Sequence, residues 1–236
     1  LFEAMRARHD ELRTLQQLYR LRLDYAMQAA RDLAERRERT DDVEVELSDA
    51  IDAVAALDAH HLERVRDVHA AFSERWKPQD RLAVAAARAA VARDLEGCGG
   101  VAIAGGHVVV LLNRLRLLGL PTLIEGLPIM AWSAGAMVLT ERVVLFHDMP
   151  PQGRGNAEVL ETGLGLVRDV VALPHAKRRL LLEDTARVSL LARRFAPSLS
   201  VPLDEGCGIR WDGERWTPLL RGRRLEHDGR VTELAP

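Results

Sequence analysis

Cysteine is almost missing from this sequence, which has only Cys98 and Cys207 in 236 residues. Two thiols give neither a disulfide framework nor a zinc signature, and a reducing, cytoplasmic setting is the default expectation. Lysine is nearly as scarce. Lys77 and Lys177 stand alone, so arginine carries the positive charge. With the abundance of Ala and Leu, this reads as a coding bias before it reads as function. A charge surplus is missing too. The 33 basic and 35 acidic residues leave −2, which argues against binding of nucleic acid through bulk charge. No apolar run approaches the ~18 residues of a membrane span; those such as 108–112 are sized for a strand or helix. The first thirty residues carry charges throughout and hold no signal-peptide core. The chain opens on Leu1 rather than Met, so strands upstream of it are one expectation.

Glycine is absent from the first 80 residues, and Pro78 is the only proline there. Helix is what remains. Apolar residues recur at Met5, Leu12, Leu15, Tyr19, Leu23, Met27, Ala30 and Leu33, in steps of three and four that draw one stripe on a helix. A polar, acidic joint follows at 35–46. The stripe resumes at Leu47, Ile51, Val54, Leu57, His61/Leu62, Val65, Phe72 and Trp76, with Ser48 as the expected N-cap. The pattern predicts an antiparallel helical hairpin over 1–77. Tyr19, Leu23, Phe72 and Trp76 broaden the stripe, and helices of about 35 residues reach ~50 Å. A homodimer through these helices is therefore expected. His60 and His61 lie in the stripe without a Cys or carboxylate cluster, so neither is read as a metal ligand; no metal or other cofactor is expected.

From Pro78 the pattern changes. A helix is predicted over 78–95, ended by Gly97. Strands at 100–104, 128–132, 143–146 and 169–173 then alternate with helices at 107–118, 134–141 and 176–195. Strands at 200–203, 208–211, 216–219 and 230–234 close the chain, with turns at Asp212-Gly213 and Asp228-Gly229. Alternation of this kind predicts an α/β domain over 78–236, built on a parallel sheet and ending in a β-meander.

The segment Pro128-Ile-Met-Ala-Trp-Ser-Ala-Gly-Ala136 runs an apolar strand into Ser133, then into small residues and a helix. This is the setting of a nucleophile elbow, which lifts the Ser hydroxyl to the strand end and aims the Ala134 amide at a developing oxyanion. Small-Ser-small before a helix is also a plain N-cap, and the segment alone leaves both readings open. Gly105-Gly106 ends the strand at 100–104, where backbone amides can approach a ligand closely. His147-Asp148, His175 and Asp204-Glu205 also fall at predicted strand ends, where α/β active sites assemble.

Taken in order, Gly105-Gly106, Ala-Trp-Ser133-Ala-Gly-Ala, Asp148-Met-Pro, Pro174-His175 and Asp204-Glu205-Gly resemble the serine peptidase family of dipeptidase E and cyanophycinase. The resemblance runs from about residue 100 to 212 and implies a class I glutamine-amidotransferase-like fold. It implies Ser133 as nucleophile and His175 as general base, with Asp148 or Glu205 as the orienting acid. Gly105, Gly106, His107 and Ala134 border the oxyanion and substrate, and Arg187 falls where relatives carry substrate-side helix arginines. The implied reaction is hydrolysis of an amide bond in a small peptide through an acyl-enzyme. Ala131 for Gly, His107 for a smaller polar residue, Ala176 for Phe and the all-helical start depart from the family pattern. Dipeptide or cyanophycin specificity is therefore not carried over. The rival reading is a non-catalytic scaffold or sensor whose N-terminal helices bind a partner.

Overall fold

The computed structural model describes residues 1–38, 40–146 and 155–235. The chain opens with α1 (Phe2–Ala34) and α2 (Asp41–Trp76), packed as an antiparallel hairpin. The cap of α2 is Thr40 rather than Ser48: the Thr40 hydroxyl accepts from the Val43 amide at 3.3 Å. Asp41, Asp42 and Glu44 fill the first turn. Their charges suit a helix N-terminus, so the acidic stretch that read as a joint begins the helix instead. A single 3₁₀ turn over Pro78–Asp80 leads into α3 (Leu82–Leu95).

The α/β part follows as β1 (Val101–Ile103), α4 (Val108–Leu117), α5 (Leu120–Leu123), β2 (Ile129–Ala131) and α6 (Ala134–Leu139). Next come β3 (Arg142–Leu145), β4 (Glu158–Thr162) and β5 (Val170–Pro174). The predicted helix over 176–195 is two helices, α7 (Ala176–Arg179) and α8 (Thr185–Arg194). Leu180 is extended, and the Asp184 side chain caps α8 through the Arg187 amide. The chain ends in β6 (Leu199–Leu203), β7 (Ile209–Trp211), β8 (Trp216–Pro218), β9 (Arg223–Leu225) and β10 (Val231–Glu233).

Among the described residues the strands pair two by two rather than as one parallel sheet. β1 and β2 are parallel, with Ile103 opposite Ala131, and β5 and β6 are parallel, with Pro174 opposite Leu203. β3 pairs antiparallel with β4, a strand absent from the expectation, around an irregularity at Val143/Val144. The closing meander is two separate hairpins, β7–β8 and β9–β10. β1, β2 and β7 to β10 are three residues each and leave little ladder to extend.

The hairpin shares one core with the strands. Tyr19, Leu23, Val54 and Leu57 pack with Val144, Phe146, Val159, Val171, Leu173 and Phe195. Within it lies a buried ion pair, Arg194 to Asp58 at 2.7 Å. The Tyr19 hydroxyl donates to Asp58 at 2.7 Å and accepts from Arg194 Nη2 at 2.9 Å and the Val159 amide at 3.1 Å. Burial pushes the Tyr19 phenol up, so it stays a donor. Of the residues behind the homodimer expectation, Tyr19, Leu23 and Phe72 are buried within their own chain, and Trp76 is half-buried. No helix among the described residues is long and apolar enough to cross a membrane.

Candidate active site

β2 runs into Trp132 and Ser133, and the Trp132 amide donates to the Ile103 carbonyl at 3.2 Å. That bond ties the turn to the end of β1. Ser133 then takes φ 54° and ψ −129°, a region costing a non-glycine residue on the order of 1–3 kcal/mol. The small residues after it are required by the fit. A Cβ on Gly135 would lie 2.1 Å from the Ile103 carbonyl oxygen, so α6 begins pressed against the end of β1. Gly105, two residues beyond β1, meets the serine itself. A Cβ there would stand 2.8 Å from both Cβ and Oγ of Ser133. The Ala134 amide, first in α6, has no acceptor among the described residues.

His175 follows β5 directly and also takes a left-handed backbone, φ 57° and ψ 36°. Its amide donates to the Leu203 carbonyl at 2.9 Å. Its Nε2 lies 3.1 Å from Ser133 Oγ. With the imidazole neutral and its proton on Nδ1, the serine hydroxyl donates to Nε2, the geometry by which a base takes the hydroxyl proton. Among the described residues Nδ1 has no partner. Ser133 and His175 are thus two non-glycine residues with positive φ that meet through their side chains.

The other expected residues divide. Asp148 lies outside the described residues. Glu205 is exposed and makes no hydrogen bond or ion pair among them. Gly106 has φ +139° with open space around it. His107 is exposed at the start of α4, and its side chain does not cap the helix. Arg187 Nη2 donates to the Gly155 carbonyl at 3.1 Å, and the side chain borders a small cavity with Met27, Asn156 and Leu190. Asp204, expected at a strand end but given no role of its own, is tied into the structure more firmly than Glu205. The Asp204 side chain is 7% exposed, accepts from the Lys177 amide at 3.0 Å and pairs with Arg223 at 2.9 Å. The available signal was its place one residue after β6, beside the strand that delivers His175. An open cleft of about 920 Å³ runs along Lys177, Leu180, Thr185, Arg223 and Val231, but neither Ser133 nor His175 lines it.

The serine on its strained strand-to-helix turn thus has an imidazole in reach and a glycine backbone against it. The family model of peptidase family S51 matches residues 52–219, more than half of the chain, and the protein belongs to that family, the family of dipeptidase E and cyanophycinase. The match begins inside α2, so the second half of the hairpin lies within the family region. Membership implies a serine peptidase acting on peptides. No curated protein matches the chain.

Proposed function

We propose that the protein hydrolyses an amide bond of a small peptide through an acyl-enzyme on Ser133. The observation that carries this reading is the 3.1 Å approach of Ser133 Oγ to His175 Nε2, with both residues held in left-handed backbone. His175 takes the hydroxyl proton as Oγ attacks the carbonyl carbon, then returns it to the leaving amine. Water, deprotonated by the same imidazole, cleaves the ester and restores the serine. The Ala134 amide and the backbone at Gly105-Gly106 are read as donors to the oxyanion. Asp148 is the preferred orienting acid. Glu205 is the alternative, and its exposed side chain, without a partner among the described residues, weighs against it.

The reading treats the parallel pairs β1–β2 and β5–β6, whose ends carry Gly105, Ser133 and His175, as parts of one glutamine-amidotransferase-like core. A panel of dipeptides and isopeptides, followed by release of free amine, tests the reading. Turnover that disappears in Ser133→Ala at unchanged thermal stability is expected. Equal turnover by that variant overturns the assignment.

A further inference from the structure

The turn that carries His175 poses a problem of its own. His175 occupies the N-cap of α7, a position where Ser, Thr, Asp or Asn normally satisfies an amide of the first turn with its own side chain. An imidazole directed at Ser133 cannot do this, and His175 makes no side-chain cap bond. α7 is four residues long and has little internal hydrogen bonding to hold it. Its start is nevertheless the segment that must keep Nε2 within reach of the serine.

The missing cap comes from the neighbouring strand. Asp204 follows β6, whose last residue, Leu203, is in register with Pro174 and accepts the His175 amide at 2.9 Å. Asp204 Oδ1 accepts from the Lys177 amide, the second residue of α7, at 3.0 Å. Its other oxygen, Oδ2, accepts from Arg223 Nη2 at 2.9 Å, reached from β9. Asp204 is 7% exposed on its side chain and Arg223 22%. The carboxylate therefore does from outside what the N-cap residue would do from within, and Arg223 fixes its orientation. Resting on the proposed role of Ser133 and His175, we infer that Asp204, held by Arg223, is a positioning residue that caps the His175 turn and leaves the imidazole free to face Ser133.

The division of labour makes a graded prediction. Asp204→Ala removes the acceptor of the Lys177 amide and leaves Arg223 without its carboxylate. Asp204→Asn keeps a carbonyl oxygen for Lys177 and loses the charge. Arg223→Gln keeps the cap and loosens its orientation. Since a 1 Å misplacement of a reacting group can cost about 10²-fold, Asp204→Ala should slow modification of Ser133 by a fluorophosphonate by about 10- to 100-fold. Asp204→Asn and Arg223→Gln should each slow it by less. The double variant Asp204→Ala/Arg223→Gln should be no slower than Asp204→Ala, because the two side chains act as one unit.

The readout separates positioning from mere stability. A purely structural role lowers the fraction of molecules that are ever labelled, and a positioning role lowers the rate constant while labelling still goes to completion. On a peptide substrate the loss should fall on kcat with KM little changed. The ¹⁵N resonances of the His175 imidazole, read without any turnover, should shift in Asp204→Ala and stay near the wild-type values in Asp204→Asn. Reduced rate constants in the predicted order, with complete end points and the imidazole shift, support the inference. Wild-type rate constants in Asp204→Ala, or an unmoved imidazole, overturn it. A wild-type protein that no fluorophosphonate modifies at Ser133 brings down the hydrolase reading instead. The imidazole spectra then still decide whether Asp204 positions His175.

Discussion

Gly105 and Gly106 are adjacent, yet the structure gives them different reasons to be glycine. Gly105 has no left-handed backbone, so alanine there suffers no torsional strain; what forbids it is contact. The new methyl would lie 2.8 Å from both Cβ and Oγ of Ser133, where ordinary contacts begin near 3.4 Å. Either the end of β1 or the serine has to give by roughly half an ångström. A 1 Å misplacement at a reacting centre can cost about 10²-fold, so a loss of about 10-fold or more in reactivity is expected. Gly106 is the reverse case. It has open space but φ +139°, and alanine there is strained by on the order of 1–3 kcal/mol. Gly105→Ala should therefore slow fluorophosphonate labelling of Ser133 while the melting temperature barely moves. Gly106→Ala should lower the melting temperature by several degrees. Labelling kinetics and thermal melts on the two variants distinguish the causes. Gly105→Ala labelled at the wild-type rate, with an intact fold, would refute the close approach of β1 to the nucleophile.

Asp58→Ala strands Arg194, 2% exposed on its side chain, without its carboxylate, and urea unfolding should show a loss of about 3–5 kcal/mol. A loss under about 1 kcal/mol would contradict the buried network. His69 is held down to about 3 by burial first and then by Arg116 and Arg8, while Glu161, 2.5 Å away, pulls the other way but is itself paired with Arg116. An unfolded histidine takes up its proton near pH 6.5, so the lowered folded value gives stability that is full above about 6.5 and lost as pH falls toward 3. His69→Gln should flatten that slope in urea titrations, and parallel curves for the two proteins would rule the effect out. Asp148→Asn should reduce activity more than Glu205→Gln, up to the order of 10⁴ in kcat for an orienting carboxylate. The reverse order of severity would move that role to Glu205.

Ser133 and His175 were readable because their local signals are strong. An apolar strand running into Ser-Ala-Gly and a Pro-His at another strand end both mark places where the backbone turns sharply. The helical hairpin was readable from its three-and-four spacing. Asp204 was visible as a strand-end residue, but its role was hidden because its bonds join positions 27 and 19 residues apart, to Lys177 and Arg223, and no local pattern records such pairings. β4 was hidden for a related reason. Its Glu158 and Glu161 are held by residues far away in the chain, Gln16 and Arg20 on α1, His69 on α2 and Arg116 on α4. The run over 176–195 has helix-forming residues throughout. Only Asp184-Thr185, a cap that competes with continuation, reveals the break between α7 and α8. The acidic start of α2 misled in the opposite direction, since charges that read as solvent-facing joint stabilise a helix N-terminus.

The central claim is that Ser133 is a nucleophile activated by His175. Fluorophosphonate modification followed by peptide mapping tests it most directly. The account predicts one phosphonyl group per folded chain, on the peptide containing Ser133, with none in Ser133→Ala and strongly slowed modification in His175→Ala. Modification at another residue, or a wild-type protein left unmodified while folded, would contradict it.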